Sequence, residues 1–210
     1  MGRRSTIRSG GSRRPTATMG AGALACVLVL SACSMIGSDD DVRVLVVGDS
    51  VTVLSEDDLR SELDWADTID IRATNRLRTD ELLEGARAGA EADPDIGIFM
   101  PGYNDVLQDR ADNPALEEMM ALASGLPCAV WLLLPTETGM ETDRVQRWNQ
   151  RVRDLADRRD NVYVSDGWKR LVEETPDFAL LSELDGVHPN VDGRRAIAAV
   201  MAAEAEARCR

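Results

Sequence analysis

The 210-residue chain has few of the residues that usually hold metals and cofactors. It contains one histidine and four cysteines, and aromatic residues make up only 4% of it. One histidine and scattered cysteines do not supply the ligands of a usual zinc site. The sequence also shows no Gly-x-Ser-x-Gly elbow and no glycine-rich dinucleotide or phosphate loop. We therefore expect neither a metal nor an organic cofactor.

The sequence also lacks an apolar run long enough to span a membrane. The longest one, residues 21–30, is half of the roughly 20 residues that a spanning helix needs. Five arginines precede it, at positions 3, 4, 8, 13 and 14. This layout predicts that residues 1–32 are a cleaved export signal.

The end of the apolar run, Leu30-Ser31-Ala32-Cys33, resembles a bacterial lipobox. The resemblance implies that Cys33 becomes the lipid-modified first residue of the mature protein. Residues 33–41 are then a polar tether, and the protein is anchored at the extracytoplasmic face of the cell membrane. The alternative is an ordinary thiol that follows a conventional signal cleavage.

Lysine is nearly absent, with Lys169 alone, and acidic residues outnumber basic ones. Removal of residues 1–32 takes away five of the 24 basic residues and none of the 37 acidic ones, which leaves a net charge of −18. Such a surface repels nucleic acids at long range, so nucleic-acid binding is excluded. An uncharged or weakly charged substrate is favoured.

Two further cysteines, Cys128 and Cys209, stay in the mature chain once Cys26 leaves with the signal. An exported compartment permits a disulfide between them, which would fix the carboxyl terminus to the sheet. Two buried, unpaired thiols are the alternative.

Strand and helix patterns alternate from residue 42 to the end, which predicts one domain over 42–210. Short apolar runs predict strands at 44–47, 68–73, 95–100, 128–134 and 161–164. Amphipathic patterns predict helices that begin near Thr79 and Pro114 and helices over 141–159 and 191–208. This alternation predicts an α/β fold, a three-layer α/β/α sandwich around a five-stranded parallel, flavodoxin-like sheet.

Three polar segments are expected beyond the carboxyl ends of these strands, where such sheets bind ligands. They are Gly48-Asp49-Ser50, Gly102-Tyr103-Asn104-Asp105 and residues 185–190, which contain the only histidine, His188. Each alone could be a turn or a helix cap. Together they supply a hydroxyl, an imidazole that titrates near neutrality and a carboxylate, the parts of a serine hydrolase.

In this order the motifs resemble the SGNH hydrolases, also called GDSL-type esterases and lipases, over roughly residues 42–202. The resemblance implies that Ser50 is the nucleophile, His188 the general base and Asp185 the residue that orients the imidazole. It also implies that the Asn104 amide and the backbone N–H of Ser50 stabilise the oxyanion.

One departure concerns the segment after the second strand. The family usually has a glycine there whose N–H is a further oxyanion donor, but this chain reads Thr74-Asn75-Arg76-Leu77-Arg78. Loss of one such donor typically costs about 10² to 10³ in rate. We expect that Arg76 or Arg78 either lines the pocket and attracts an anionic group of the substrate or is a plain surface residue.

The sequence thus predicts a lipid-anchored esterase that hydrolyses acyl esters through an acyl-enzyme. Candidate substrates are acetyl groups on polysaccharides, short-chain esters and lipid esters. Transfer of the acyl group to a sugar is an alternative, since only the acceptor differs. A non-catalytic envelope protein that keeps the fold and binds a glycan or a partner protein is another, motivated by the absent glycine.

Overall fold

Five parallel strands form one sheet in the computed structural model, which describes residues 41–136 and 138–210. The strands are β1 (Arg43–Gly48), β2 (Thr68–Ala73), β3 (Ile96–Met100), β4 (Cys128–Leu132) and β5 (Val162–Ser165). Their spatial order is β2-β1-β3-β4-β5, and all neighbours pair in parallel. This is the flavodoxin-like order, so the predicted fold class is confirmed. The predicted export signal, Cys33 and tether residues 33–40 lie outside the described residues.

Eight α-helices among the described residues connect and cover these strands. They are α1 (Ser50–Leu54), α2 (Glu56–Glu62), α3 (Thr79–Ala90), α4 (Tyr103–Leu107), α5 (Ala115–Ser124), α6 (Thr142–Ala156), α7 (Gly167–Glu174) and α8 (Val191–Cys209). Contacts place α3, α5 and α6 on one face of the sheet and α2, α7 and α8 on the other. The fold is therefore a three-layer sandwich, and none of the helices described is long and apolar enough to cross a membrane.

Strand burial follows from position in the sheet. In β3 every residue is buried, and in β1 every residue after Arg43 is. Strand β2 lies at an edge, and its Arg72 reaches solvent and pairs with Asp70. A central strand of a covered parallel sheet is shielded on both faces, and this explains the continuous apolar runs in the sequence.

The scarce aromatic residues are concentrated in the core. Phe99 of β3 stacks on Trp131 of β4, with 5.5 Å between ring centroids. Trp148 on α6 and Trp168 on α7 are fully buried, and these two helices cover opposite faces of the sheet. Large rings bury much apolar area each, so a small number of them suffices for a core of this size.

The disulfide expected between Cys128 and Cys209 is present. It joins the first residue of β4 to the last residue of α8, with 5.7 Å between the two Cα atoms. The bond closes a loop over 81 positions of sequence. A cross-link over a loop of this size stabilises a fold by about 2 to 4 kcal/mol, chiefly because it restricts the unfolded chain. Helix α8 is thereby fixed against the sheet at its far end.

Sequence periodicity predicts four of the eight described helices and misses α1, α2, α4 and α7. Helix α2 buries only Leu59, so it carries no apolar stripe that a pattern could reveal. Helix α7 buries Trp168 and Val172 within what the sequence suggests is a long connection after β5. The segment after β3, expected as a turn, begins the short helix α4 at Tyr103.

Candidate active site

A cleft of about 510 Å³ opens beyond the carboxyl ends of the strands. Gly48, the last residue of β1, is in register with Ala73 of β2 and Met100 of β3, so the segments that follow these strands emerge side by side. The chain crosses from one side of β1 to the other here, and doubly wound sheets bind ligands at such a switch point. The cleft is lined by residues from the segments after β1, β2 and β3 and by Val187 and His188.

Ser50, His188 and Asp185 form a continuous hydrogen-bonded chain in this cleft. The Ser50 Oγ atom lies 2.9 Å from Nε2 of His188, and His188 Nδ1 lies 2.7 Å from Oδ2 of Asp185. A carboxylate can only accept, so Nδ1 carries the proton and Nε2 is left to accept from the serine hydroxyl. The arrangement can remove a proton from Ser50 and return it to a leaving group.

Hydrogen bonds also keep Asp185 charged. Burial alone would raise its pKa, but the backbone N–H groups of Val187 and His188 and the imidazole of His188 donate to the carboxylate. Together they hold the pKa of Asp185 below its ordinary value. Asp185 is therefore an anion at neutral pH and favours the tautomer of His188 that can accept from Ser50.

The loop that carries Asp185 and His188 is held at both ends. The N–H of Ser182 donates to the His188 carbonyl, and Leu181 pairs with Pro189 in a short antiparallel bridge. Directly after the loop, the Asn190 side chain accepts from the N–H of Gly193 and caps α8. The loop is thus anchored to a long, packed helix.

Gly139, in the segment after β4, packs against this loop from outside the cleft. Its N–H donates to the Gly186 carbonyl at 3.0 Å. A Cβ atom at position 139 would lie only 2.0 Å from the carbonyl oxygen of Asp185. Only glycine fits this approach without moving the loop that carries Asp185 and His188.

Asp49 ties the segment that carries Ser50 to the neighbouring strand end. Its carboxylate is fully buried and accepts from the N–H of Val51, in α1, and from the N–H of Tyr103, at the start of α4. Burial raises the pKa of Asp49 to about 7, although the two N–H groups lower it in part. This one side chain therefore fixes the position of α1, which begins at Ser50, relative to α4, which carries Asn104.

Asn104 is oriented by the loop after β2. Its Nδ2 atom donates to the Leu77 carbonyl at 3.1 Å, and the residue is 9% exposed. An amide nitrogen carries two hydrogens, so one is left for a ligand in the cleft. Next to it, Asp105 accepts from Thr79 and Asn113, which joins α3 to α4. Burial raises the pKa of Asp105, and these hydrogen bonds oppose the increase.

The two arginines after β2 differ in position. Arg76 lines the cleft and has a left-handed backbone with φ of 67°. Glycine adopts this conformation freely, so the chain keeps a glycine-like backbone where glycine is absent. Arg78 is not among the residues that line the cleft, because its guanidinium pairs with Asp80 and Glu81 and donates to Gln108. The sequence could not separate the two.

The walls of the cleft include residues that the motifs do not contain. Leu54, Leu107 and Val187 are apolar, and Asn75 lies beside Arg76. No periodic or spacing signal singles out these residues, because they become neighbours only at the end of the sheet. Within residues 41–136 and 138–210, no cluster of three or more histidine, cysteine or carboxylate side chains is arranged to hold a metal ion.

Fold and cleft together define an α/β protein with a serine, histidine and aspartate relay at the sheet's switch point. Residues 46–196 match the model of the GDSL-like lipase/acylhydrolase family, which is most of the chain. The chain belongs to this family, whose members hydrolyse acyl esters. None of the curated protein sequences compared with the chain matches it.

Solved structures with the same fold include three bacterial proteins. A GDSL-like lipase from Bacteroides thetaiotaomicron is 18% identical, with 80% of this chain and 89% of that chain covered and a TM-score of 0.64. A member of the lipolytic G-D-S-L family from Veillonella parvula is 20% identical, with 79% and 98% covered and a TM-score of 0.64. A catalytic mutant of an acetylxylan esterase from Geobacillus stearothermophilus is 15% identical, with 74% and 90% covered and a TM-score of 0.56. At sequence identities this low, the likeness establishes that the fold is shared and carries no statement about function.

Replacing Asp49 by asparagine tests the tie between α1 and α4. Asparagine places an NH₂ group where one of the two N–H donors now finds an oxygen, so Val51 or Tyr103 loses its acceptor. We expect ester turnover to fall by about 10- to 100-fold, because small displacements of reacting groups cost this much. Exposed Asp160 provides the matched control, Asp160→Asn.

The same variant has a pH signature. Since the pKa of Asp49 rises from 3.8 to about 7 on folding, the native state holds a proton there that the unfolded chain releases. This carboxyl's contribution to the free energy of unfolding is therefore full below pH 4 and is lost as pH rises to about 7. In urea unfolding, the stability of wild type relative to Asp49→Asn should decrease over this range. A difference that stays constant or grows would contradict the assignment.

Proposed function

We propose that this protein is a serine ester hydrolase that acts on acyl esters through an acyl-enzyme. The observation that carries the proposal is the unbroken chain from Ser50 Oγ to His188 Nε2, at 2.9 Å, and from His188 Nδ1 to Asp185, at 2.7 Å. Its serine end faces the cleft, where an ester carbonyl would bind.

In the first half of the reaction, His188 accepts the Ser50 proton while Oγ attacks the ester carbonyl. The tetrahedral oxyanion takes hydrogen bonds from the free Asn104 amide hydrogen and from the Ser50 backbone N–H at the start of α1. Collapse breaks the ester C–O bond, and His188 gives the proton to the departing alcohol.

Water resolves the acyl-enzyme in the second half. His188 takes a proton from water, the hydroxide attacks the acyl carbonyl, and the bond to Ser50 breaks as Oγ regains the proton. The products are the free carboxylic acid and the regenerated serine. A sugar hydroxyl in place of water would give acyl transfer, and product analysis in the presence of a sugar acceptor separates the two.

The cleft supports esters with a short or medium acyl group. Leu54, Leu107 and Val187 are apolar residues that line the same cleft as Ser50, and Leu107 is 46% exposed. An open, partly apolar wall suits acetyl and short alkyl chains. Acetyl groups on polysaccharides, short-chain esters and lipid esters are the substrate classes we propose, and one structural neighbour is an acetylxylan esterase.

We also propose that the mature protein is lipid-anchored through Cys33 outside the cytoplasm. The support is the sequence Leu30-Ser31-Ala32-Cys33 after a short apolar run. Residues 33–41 would link the anchor to β1, which begins at Arg43. In extended form nine residues span roughly 30 Å.

Ser50→Ala tests the catalytic proposal. With 4-nitrophenyl acetate and butyrate, we expect kcat to fall by at least about 10³-fold while binding persists, because the nucleophile is lost but the cleft is kept. Ser124→Ala, a serine on α5 far from the cleft, is the matched control and should keep wild-type activity. Turnover that survives Ser50→Ala would contradict the mechanism. A folded wild type that binds esters or glycans but turns none over would favour a non-catalytic binding protein.

Cys33→Ser tests the anchor in a bacterial host that expresses the full chain. During growth with an alkyne analogue of palmitate, the wild type should become labelled and stay with membranes. The variant should lose both properties, whereas Cys26→Ser, within the predicted signal, should keep them. An unlabelled wild type, or a labelled Cys33→Ser, would refute lipidation at this cysteine.

A further inference from the structure

Arg76 is an exposed cation in the cleft. It lines the same cleft as Ser50 and His188. No carboxylate of residues 41–136 or 138–210 forms an ion pair with it, whereas Arg78, two positions on, is held by Asp80 and Glu81. The guanidinium of Arg76 is therefore available to a ligand, and that of Arg78 is not.

The backbone at Arg76 gives a second and independent observation. Its φ of 67° lies in the left-handed region, which arginine adopts at a cost and glycine adopts freely. A segment that served only as a turn would be better formed by glycine or asparagine. Backbone strain of this kind is often found at functional sites, and here it lies in the wall of the cleft that contains Ser50.

The other residues that line the cleft indicate the chemistry of a ligand that would bind Arg76. The lining of the cleft includes three apolar residues, Leu54, Leu107 and Val187, and Asn75 adds an amide beside Arg76. The protein as a whole is acidic and repels anions at long range, so an anionic substrate needs a local cation to bind. A planar guanidinium with five N–H donors suits a carboxylate or phosphate oxygen pair.

We propose that Arg76, with Asn75 beside it, is an anion-recognition subsite that selects esters carrying a carboxylate or phosphate group. The inference rests on the proposed ester hydrolysis and adds a preference for anionic esters within the proposed substrate classes. Arg76 contacts the charged part of the substrate and takes no part in proton transfer.

The test compares esters that differ only in charge. Mono-4-nitrophenyl glutarate carries a carboxylate on the acyl side, and 4-nitrophenyl pentanoate is its neutral partner. 4-Acetoxybenzoate carries a carboxylate on the alcohol side, and its methyl ester is the neutral partner. 4-Acetoxyphenyl phosphate carries a phosphate at the same place and is compared with the same methyl ester. The ratio of kcat/KM for the anionic and the neutral member of each pair is measured for the wild type and for Arg76→Gln.

We expect Arg76→Gln to lower this ratio by about tenfold in at least one pair, because a charge-assisted hydrogen bond is lost, while neutral esters change little. Arg76→Lys should restore part of the preference. Arg87→Gln removes an exposed charge on α3, outside the cleft, and should leave the ratio unchanged. The pair whose ratio changes shows whether the preferred anion lies on the acyl side or the alcohol side of the ester. It also shows whether that anion is a carboxylate or a phosphate.

Ratios that agree within twofold between wild type and Arg76→Gln in every pair would overturn the inference and leave ester hydrolysis intact. Binding provides a readout that does not depend on turnover. In the Ser50→Ala background, calorimetry should show weaker binding of mono-4-nitrophenyl glutarate after Arg76→Gln and equal binding of 4-nitrophenyl pentanoate. Equal binding of the anionic ester with and without Arg76 would also overturn it, whether or not the wild type hydrolyses esters.

Discussion

The hydrogen bond between Ser50 and His188 joins two residues that are 138 positions apart in the chain. The parallel sheet, whose strands all end at one edge, brings these distant segments together there. Much of the surrounding structure fixes the two ends of this bond. Asp49 holds the serine end to the start of α4, and the Asn190 cap and Gly139 hold the histidine end.

Buried polar groups carry most of this positioning. Asp49, Asn104 and Asp105 each accept or donate across two chain segments, so the loops after β1, β2 and β3 form one connected unit. A buried carboxylate without partners would be costly, and here the backbone N–H groups of two helix starts satisfy Asp49. The raised pKa of Asp49 is the electrostatic consequence of placing this tie in the core.

Sequence patterns anticipated the parts of the molecule that depend on local chemistry. The continuous apolar runs of β1, β3 and β4 predicted buried parallel strands, and the spacing of Asp185 and His188 predicted their contact. The patterns could not show that Arg78 is neutralised by Asp80 and Glu81 while Arg76 faces the cleft, because side-chain direction follows from backbone geometry. They also could not reveal the contact of Gly139 with the loop of Asp185, which joins segments distant in sequence. Helix α7 was not predicted, because the sequence between β5 and the loop of Asp185 was interpreted as one long connection.

The proposed mechanism requires His188 to activate Ser50 as a nucleophile. Mass spectrometry after treatment with a fluorophosphonate tests this most directly, because the reagent phosphonylates only a serine whose proton is removed by a nearby base. We expect one phosphonylated peptide, the one that contains Ser50, and we expect this adduct to be absent in His188→Ala. An adduct on another residue, or an unchanged rate of Ser50 labelling without the imidazole, would contradict it.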